Sequence, residues 1–313
     1  MKRMKKIYLY MASVVAAWCC LACSEDAIEP NPLEPDYFLE PEGSSPVIAA
    51  LQKEFHQKEN IYLLFNDTLY RESIGTDGNG NPCYRYTTID MTYGMTNNLI
   101  ENQNIFEYDY LASDSEKESA TAFVREKVLP SLGSALRPYS VLLVNRIDYY
   151  QDSYGDLALT NPAVYAGWQA TAIAVEGVAD MTEEEQNAYK MSLLKSMVAN
   201  KITAADETLF EEFYSFSAPH YGTLYMNEAA EAFIAQYPTL YDIGLLSAYA
   251  YGWNGNMWIC NLYQPKEDDL KDYTNALFDM QESEFRETYA QYPIVLKKYD
   301  ILKKIVSDMG VIF

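Results

Sequence analysis

Thr182-Glu183-Glu184-Glu185-Gln186-Asn187-Ala188-Tyr189-Lys190-Met191-Ser192-Leu193-Leu194-Lys195-Ser196-Met197-Val198-Ala199-Asn200-Lys201-Ile202 is a helix that marks its own start. The Thr182 hydroxyl can accept from an amide three residues on, and Glu185 can reach back to the Thr182 amide, the reciprocal pattern of a capping box. Ala188, Met191, Leu194, Val198 and Ile202 recur at helical spacing and predict one apolar face.

On either side of this helix the pattern differs. Upstream, Asn60–Phe65, Tyr139–Val144 and Gln169–Val175 are short apolar runs that read as buried strands. Helices are expected from Ser45-Pro46 to Gln57, and over Ser115–Leu132 with Phe123, Val124, Val128 and Leu129 on one face. Downstream the chain is mainly helical, over Asn227–Gln236, Asp268–Asp279 and Pro293–Met309. In the last, Pro293 fits the first turn, Gly310 stops the helix, and Leu302, Ile305, Val306 and Met309 form a stripe. No repeat is visible. The expectation is one α+β domain over 46–313, with a small sheet in the N-terminal half and a mainly helical C-terminal half.

Asp77-Gly78-Asn79-Gly80-Asn81 is turn chemistry. It is not a calcium loop, because position six is Pro82 where glycine is needed and position twelve is Thr88 where glutamate is needed.

The first residues are an address and stay outside the fold. Lys2, Arg3, Lys5 and Lys6 precede an apolar run from Ile7 to Ala17, and the segment closes on Cys20-Leu21-Ala22-Cys23. That order predicts a lipoprotein signal peptide over 1–22 and lipidation of Cys23, with an uncleaved signal anchor as the alternative. Ser24-Glu25-Asp26 resembles the acidic export tag of surface lipoproteins in some Gram-negative bacteria. Prolines at 30, 32, 35 and 41 make 23–45 an acidic, extended tether. The expected location is the outer membrane, lipid-anchored and cell-surface exposed, with a periplasm-facing orientation as the alternative.

The chain carries a net charge of −22, and the signal segment contributes four of its positive charges. Nucleic acid is therefore excluded as a partner, since phosphate binding needs a basic surface. Beyond Cys19, Cys20 and Cys23, the cysteines are Cys83 and Cys260, which form either one bridge or two separate thiols. Among 28 tyrosines, Tyr249 and Tyr251 cluster with Trp253 and Trp258. These are candidate ligand-binding aromatics for glycan stacking, although half-buried core is the simpler account of such rings.

Several segments carry a resemblance: Phe123–Pro130 with the strand to Arg146, Ala172–Val175 leading into the Thr182 helix, Phe216–Gly222, Gly244–Ala250, and Lys298–Lys304. Together the chain resembles the zinc-binding metallopeptidase lipoproteins, also described as substrate import-associated zinc metallohydrolase lipoproteins. The resemblance covers about residues 46–310 and implies a zincin-like fold. In that family the capped helix carries His-Glu-x-x-His, two zinc-binding histidines one turn apart with a glutamate that activates the metal-bound water. Here the stretch reads Lys195, Ser196, Met197, Val198, Ala199 and Asn200, with neither histidine nor acid. The downstream acidic motif aligns with Asp268–Asp272, placing Asp272 at the third-ligand position. A solvated helix N-terminus, where the dipole favours negative charge, accounts for that run more simply.

His56 and His220 are the chain's two histidines. His56 is expected to face solvent on a polar helix, and His220 follows Pro219 in a loop. No nucleophile elbow or phosphate-cradling glycine loop is present. The resemblance and its missing motif together imply no catalytic residue, no metal and no cofactor. The expected function is a catalytically inactive metallopeptidase-like surface lipoprotein. It would serve a TonB-dependent nutrient-import system, beside a transporter and its capture lipoprotein, and hold a peptide or glycan without cutting it. Two alternatives stay open: a peptidase or glycosidase using carboxylates or a non-standard metal site, and a glycan-capture lipoprotein using the Tyr249–Trp258 aromatics.

Overall fold

A computed structural model describes residues 36–39, 41, 43–89, 91, 105–153, 156–167, 169–225, 239–251 and 260–313. The signal segment, Cys23, the helix expected at Asn227–Gln236, and Trp253 and Trp258 lie outside these residues. The chain is α+β. Residues Tyr37–Phe313 form one compact unit.

Its centre is a four-stranded sheet in the order β1 (Tyr62–Leu64), β5 (Ser140–Val144), β9 (Thr171–Ala174), β8 (Val164–Ala166). The first three strands are parallel and β8 is an antiparallel edge. Every residue of β5 is buried, as a parallel strand covered on both faces requires. Successive side chains alternate faces. Leu63, Val141, Leu143 and Ile173 enter the helical core. Leu64, Leu142, Val144 and Ala172 enter a second core with Leu69, Ile89, Met91 and Ile147.

Around this centre lie the hairpin β2 (Thr68–Thr76) and β3 (Pro82–Thr88), and the meander β4 (Ile105–Asp109), β6 (Arg146–Ser153), β7 (Asp156–Thr160). Asp77 closes the hairpin, its Oδ1 accepting from the amides of Asn79 and Asn81 at 2.8 Å each. Helix α1 (Pro46–Glu59) is capped by Ser45. Helix α2 (Asp114–Phe123) has a Ser113–Glu116 capping box. It then widens into a π turn over Val124–Val128, ahead of Pro130. Proline lacks the amide that would continue the regular ladder, so the single helix expected to Leu132 ends in a distorted turn.

Helix α3 (Glu183–Ala204) carries the expected capping box, with Glu185 Oε2 accepting from the Thr182 amide at 2.7 Å. Four of its five expected apolar positions, Met191, Leu194, Val198 and Ile202, lie in or against the core. Leu193, Leu194, Met197 and Val198 are buried, and Ala188 is exposed. The helix sits between the sheet and α5 (Lys266–Asp279), and two packing partners widen the buried face to take in Leu193 and Met197 as well. Short helices α4 (Glu211–Ser215) and α6 (Glu282–Thr288) and the long α7 (Pro293–Asp308) complete the helical layer. Among the described residues no helix is long and apolar enough to cross a membrane.

Three expectations need correction. The C-terminal half holds its own antiparallel sheet, β10 (Leu224–Tyr225), β12 (Cys260–Tyr263), β11 (Ala248–Tyr251). The last part of the tether packs on the domain: Tyr37 stacks on Tyr70 with centroids 4.5 Å apart, and Phe38 meets Tyr62 and Tyr139 at 5.6 and 5.5 Å. Two adjacent aromatics supply apolar area that proline and glutamate lack. His56 is half-buried and stacks on Tyr62 at 4.1 Å, so it does not simply face solvent.

Tyr189 ties α3 to the sheet, its hydroxyl donating to Ala174 O at 2.7 Å. Tyr299 stacks on Phe285 at 4.2 Å. Burial pushes both phenols up to about 12 from the ordinary 10.0. A raised acid gives stability that is complete below the unfolded pKa and is lost as pH rises towards the folded one. Alkaline unfolding is therefore expected between about pH 10 and 12, with loss of circular dichroism coincident with the rise in tyrosinate absorbance. Full tyrosinate absorbance in a still-folded protein would contradict this.

Candidate functional site

Two places gather the chemistry-bearing residues. The first is a groove of about 620 Å³ between the C-terminal half of α3 and the start of α5. Once Leu194, Met197 and Val198 are committed to the core, helical spacing leaves Lys195, Ala199, Ile202 and Thr203 along the groove wall. Lys195 and Ala199 are one turn apart, and are joined on the wall by Phe210, Tyr214 and Leu270. Lys195 Nζ is held by Asp279 Oδ2 at 2.6 Å. Ser196 Oγ donates to Ser192 O at 3.0 Å, inside its own helix. The side chain of Asn200 lies outside the described residues.

Asp272 is not brought to this groove. It lies off the α5 face formed by Leu270, Lys271 and Thr274, and its Oδ2 accepts from Ser247 at 2.5 Å. The third-ligand position therefore does not share the groove with Lys195 and Ala199. Among the described residues no cluster of three or more His, Cys, Asp or Glu side chains is placed to hold a metal ion.

The second place is a buried ion pair. Lys298 Nζ on α7 lies 2.5 Å from Asp269 Oδ2 on α5, and both side chains are 0% exposed. Lys298 also donates to Ser217 Oγ at 2.9 Å, and Tyr221 OH donates to Asp269 Oδ2 at 2.6 Å. The rings of Phe213 and Tyr273 cover the ammonium, with centroids at 4.5 and 4.9 Å. Ser217 Oγ donates onward to Ile243 O, and Tyr273 OH to Gly244 O. Beside them the buried Gln264 amide lies 2.7 Å from Ser247 Oγ. The solvated-terminus reading of Asp268–Asp272 thus fails at Asp269, which is buried in the first turn of its helix.

Desolvation pushes the Asp269 carboxyl up and the Lys298 ammonium down, and their mutual attraction opposes both shifts. Burial, then the Asp269 charge, pushes the Tyr221 phenol far up, so it remains a donor. Ser217 and Lys298 have the composition of a Ser–Lys nucleophile pair. Both are buried and Lys298 is paired with Asp269, an arrangement that makes them a structural lock.

Four quoted segments converge here: Phe216–Gly222 supplies Ser217 and Tyr221, Gly244–Ala250 supplies Gly244 and Ser247, Asp268–Asp272 supplies Asp269, and Lys298–Lys304 supplies Lys298. Sequence reading missed Lys298 and Asp269 as partners. A signal existed in the register, since Val295, Lys298, Leu302 and Ile305 share one stripe of α7 with Lys298 at a core position.

The remaining expected residues fall elsewhere. Tyr249 and Tyr251 lie on β11, with side chains outside the described residues. His220 packs edge-on against Tyr263 at 5.4 Å. Cys83 is a free thiol, which decides against a Cys83–Cys260 bridge. Against protein-family models, curated proteins and solved structures alike, the chain finds no match.

Lys298→Met leaves Asp269 buried without its cation and is expected to cost about 3–5 kcal/mol in urea unfolding. Lys298→Met with Asp269→Leu should recover most of that loss. An additive double variant would refute the lock. Gly244→Ala should also destabilise, because its φ is +78° and a Cβ there would lie 2.6 Å from Ile294 Cγ2 and 2.8 Å from Lys298 Cδ.

Proposed function

We propose that this chain is a lipid-anchored surface lipoprotein whose zincin-like domain has lost its metal site and now binds without cutting. One observation carries the reading. Lys195 and Ala199, one helical turn apart within the 195–200 stretch that the resemblance aligns with His-Glu-x-x-His, line an accessible groove, and neither is a histidine. The groove's size lies in the range of ligand sites, and its Ile202, Phe210, Tyr214 and Leu270 surface suits apolar side chains. A peptide fits this lining better than a glycan, whose hydroxyls would need more polar partners.

The anchor and the transport context rest on the sequence. Cys23 after a lipobox-like segment and the acidic Ser24–Asp26 tag support lipidation and display at the outer-membrane surface. The resemblance supports an accessory role beside a TonB-dependent transporter and its capture lipoprotein.

Titrating the purified domain with zinc in a calorimeter should give no stoichiometric binding. Tight one-to-one binding would overturn the loss of the metal site. Cys23→Ala should abolish labelling by fatty acid and move the protein out of the membrane fraction. A variant that stays membrane-bound would overturn the anchor.

A further inference from the structure

We infer that the larger cleft beside the N-terminal half of α3 is a docking surface for a cationic amphipathic peptide segment of a partner protein. This cleft, about 1080 Å³, lies between the first turns of α3, the α5–α6 junction and the C-terminal residues. Its apolar lining comes from Met191 and Met280, with Leu277 and Phe278 reaching it from almost wholly buried positions. Ile312 and Phe313 extend that lining and are 55% and 47% exposed. Scattered exposed apolar residues are ordinary, but here they line the same cleft as Met191 and Met280. Two methionines give such a lining the adaptability to accept differing side chains.

The rim is acidic. Glu183, Glu184, Asp279, Glu282 and Glu284 line the cleft against only Lys190 and Lys303. Lys303 is already held by Glu282 at 2.5 Å. Lys127 pairs with Glu183 and Lys195 with Asp279. Glu184 and Glu284 are exposed and have no ion-pair partner among the described residues.

This combination selects the occupant. An acidic peptide or an anionic lipid surface would be repelled by the rim. A small polycation would leave the apolar lining uncovered. A helix with Lys or Arg along one edge and Leu or Phe along the other satisfies both at once, as helix-in-groove recognition requires.

The experiment uses a fluorescein-labelled Leu/Lys amphipathic peptide of about twelve to fifteen residues, titrated with the full chain and followed by anisotropy. The expected result is saturable binding, weakened at least about tenfold by Glu184→Lys with Glu284→Lys, and again by Ile312→Ser with Phe313→Ser. Glu211→Lys with Glu212→Lys, a charge reversal of equal size on the exposed side of α4, should leave affinity unchanged. Three outcomes would overturn the proposal: no binding, equal binding of a Leu/Glu peptide, or equal weakening by the α4 reversal, which would mark attraction to overall charge. Unchanged affinity after the Ile312/Phe313 change would overturn the apolar part of the surface.

Discussion

The helical half of this protein is organised around one ammonium group that water cannot reach. Lys298 is 0% exposed, and desolvating such a charge costs several kcal/mol unless it is met on every side. Asp269, Ser217 and two aromatic faces meet it. Satisfying one group therefore places α5, α7, the segment after α4 and the turn at Gly244 relative to one another. Gly244 adopts a positive φ and lies against the aliphatic stem of Lys298, where a side chain would collide. The lock is costly to leave half-made and contributes specificity as much as stability.

The central sheet imposes the other constraint. Strand β5 is buried on both faces, so it needs a layer on each side. Helix α3 is part of the layer over one face, with Leu193, Leu194, Met197 and Val198 turned inward. That commitment decides what is left for binding. Lys195 and Ala199 go to one groove, while Glu183, Glu184 and Met191 go to an acid-rimmed cleft. One helix thus serves the core and two surfaces, one mainly apolar and one acid-rimmed.

Much of the fold was legible locally. The capping box at Thr182, the proline start of α1 and the stop at Gly310 are short-range chemistry, and they stand where the residues place them. The three buried strands are visible because parallel strands are written as continuous apolar runs. Less legible was whatever depended on neighbours distant in sequence. Asp269 reads as a solvated acid at a helix start until Lys298, on another helix, is brought against it. His56 reads as polar surface until Tyr62 stacks on it. Asp272, which the resemblance aligns with a third ligand, turns its carboxylate to Ser247.

By itself the sequence determined the class of the fold, the starts of α1, α3 and α7, and the absence of His-Glu-x-x-His from α3. Each follows from residues within a few positions of one another, or from composition. The tertiary structure alone decided which charges are buried, which helix faces stay open, and that four scattered segments meet in one network. The buried network alone joins residues 81 positions apart, a proximity that spacing along the chain does not encode.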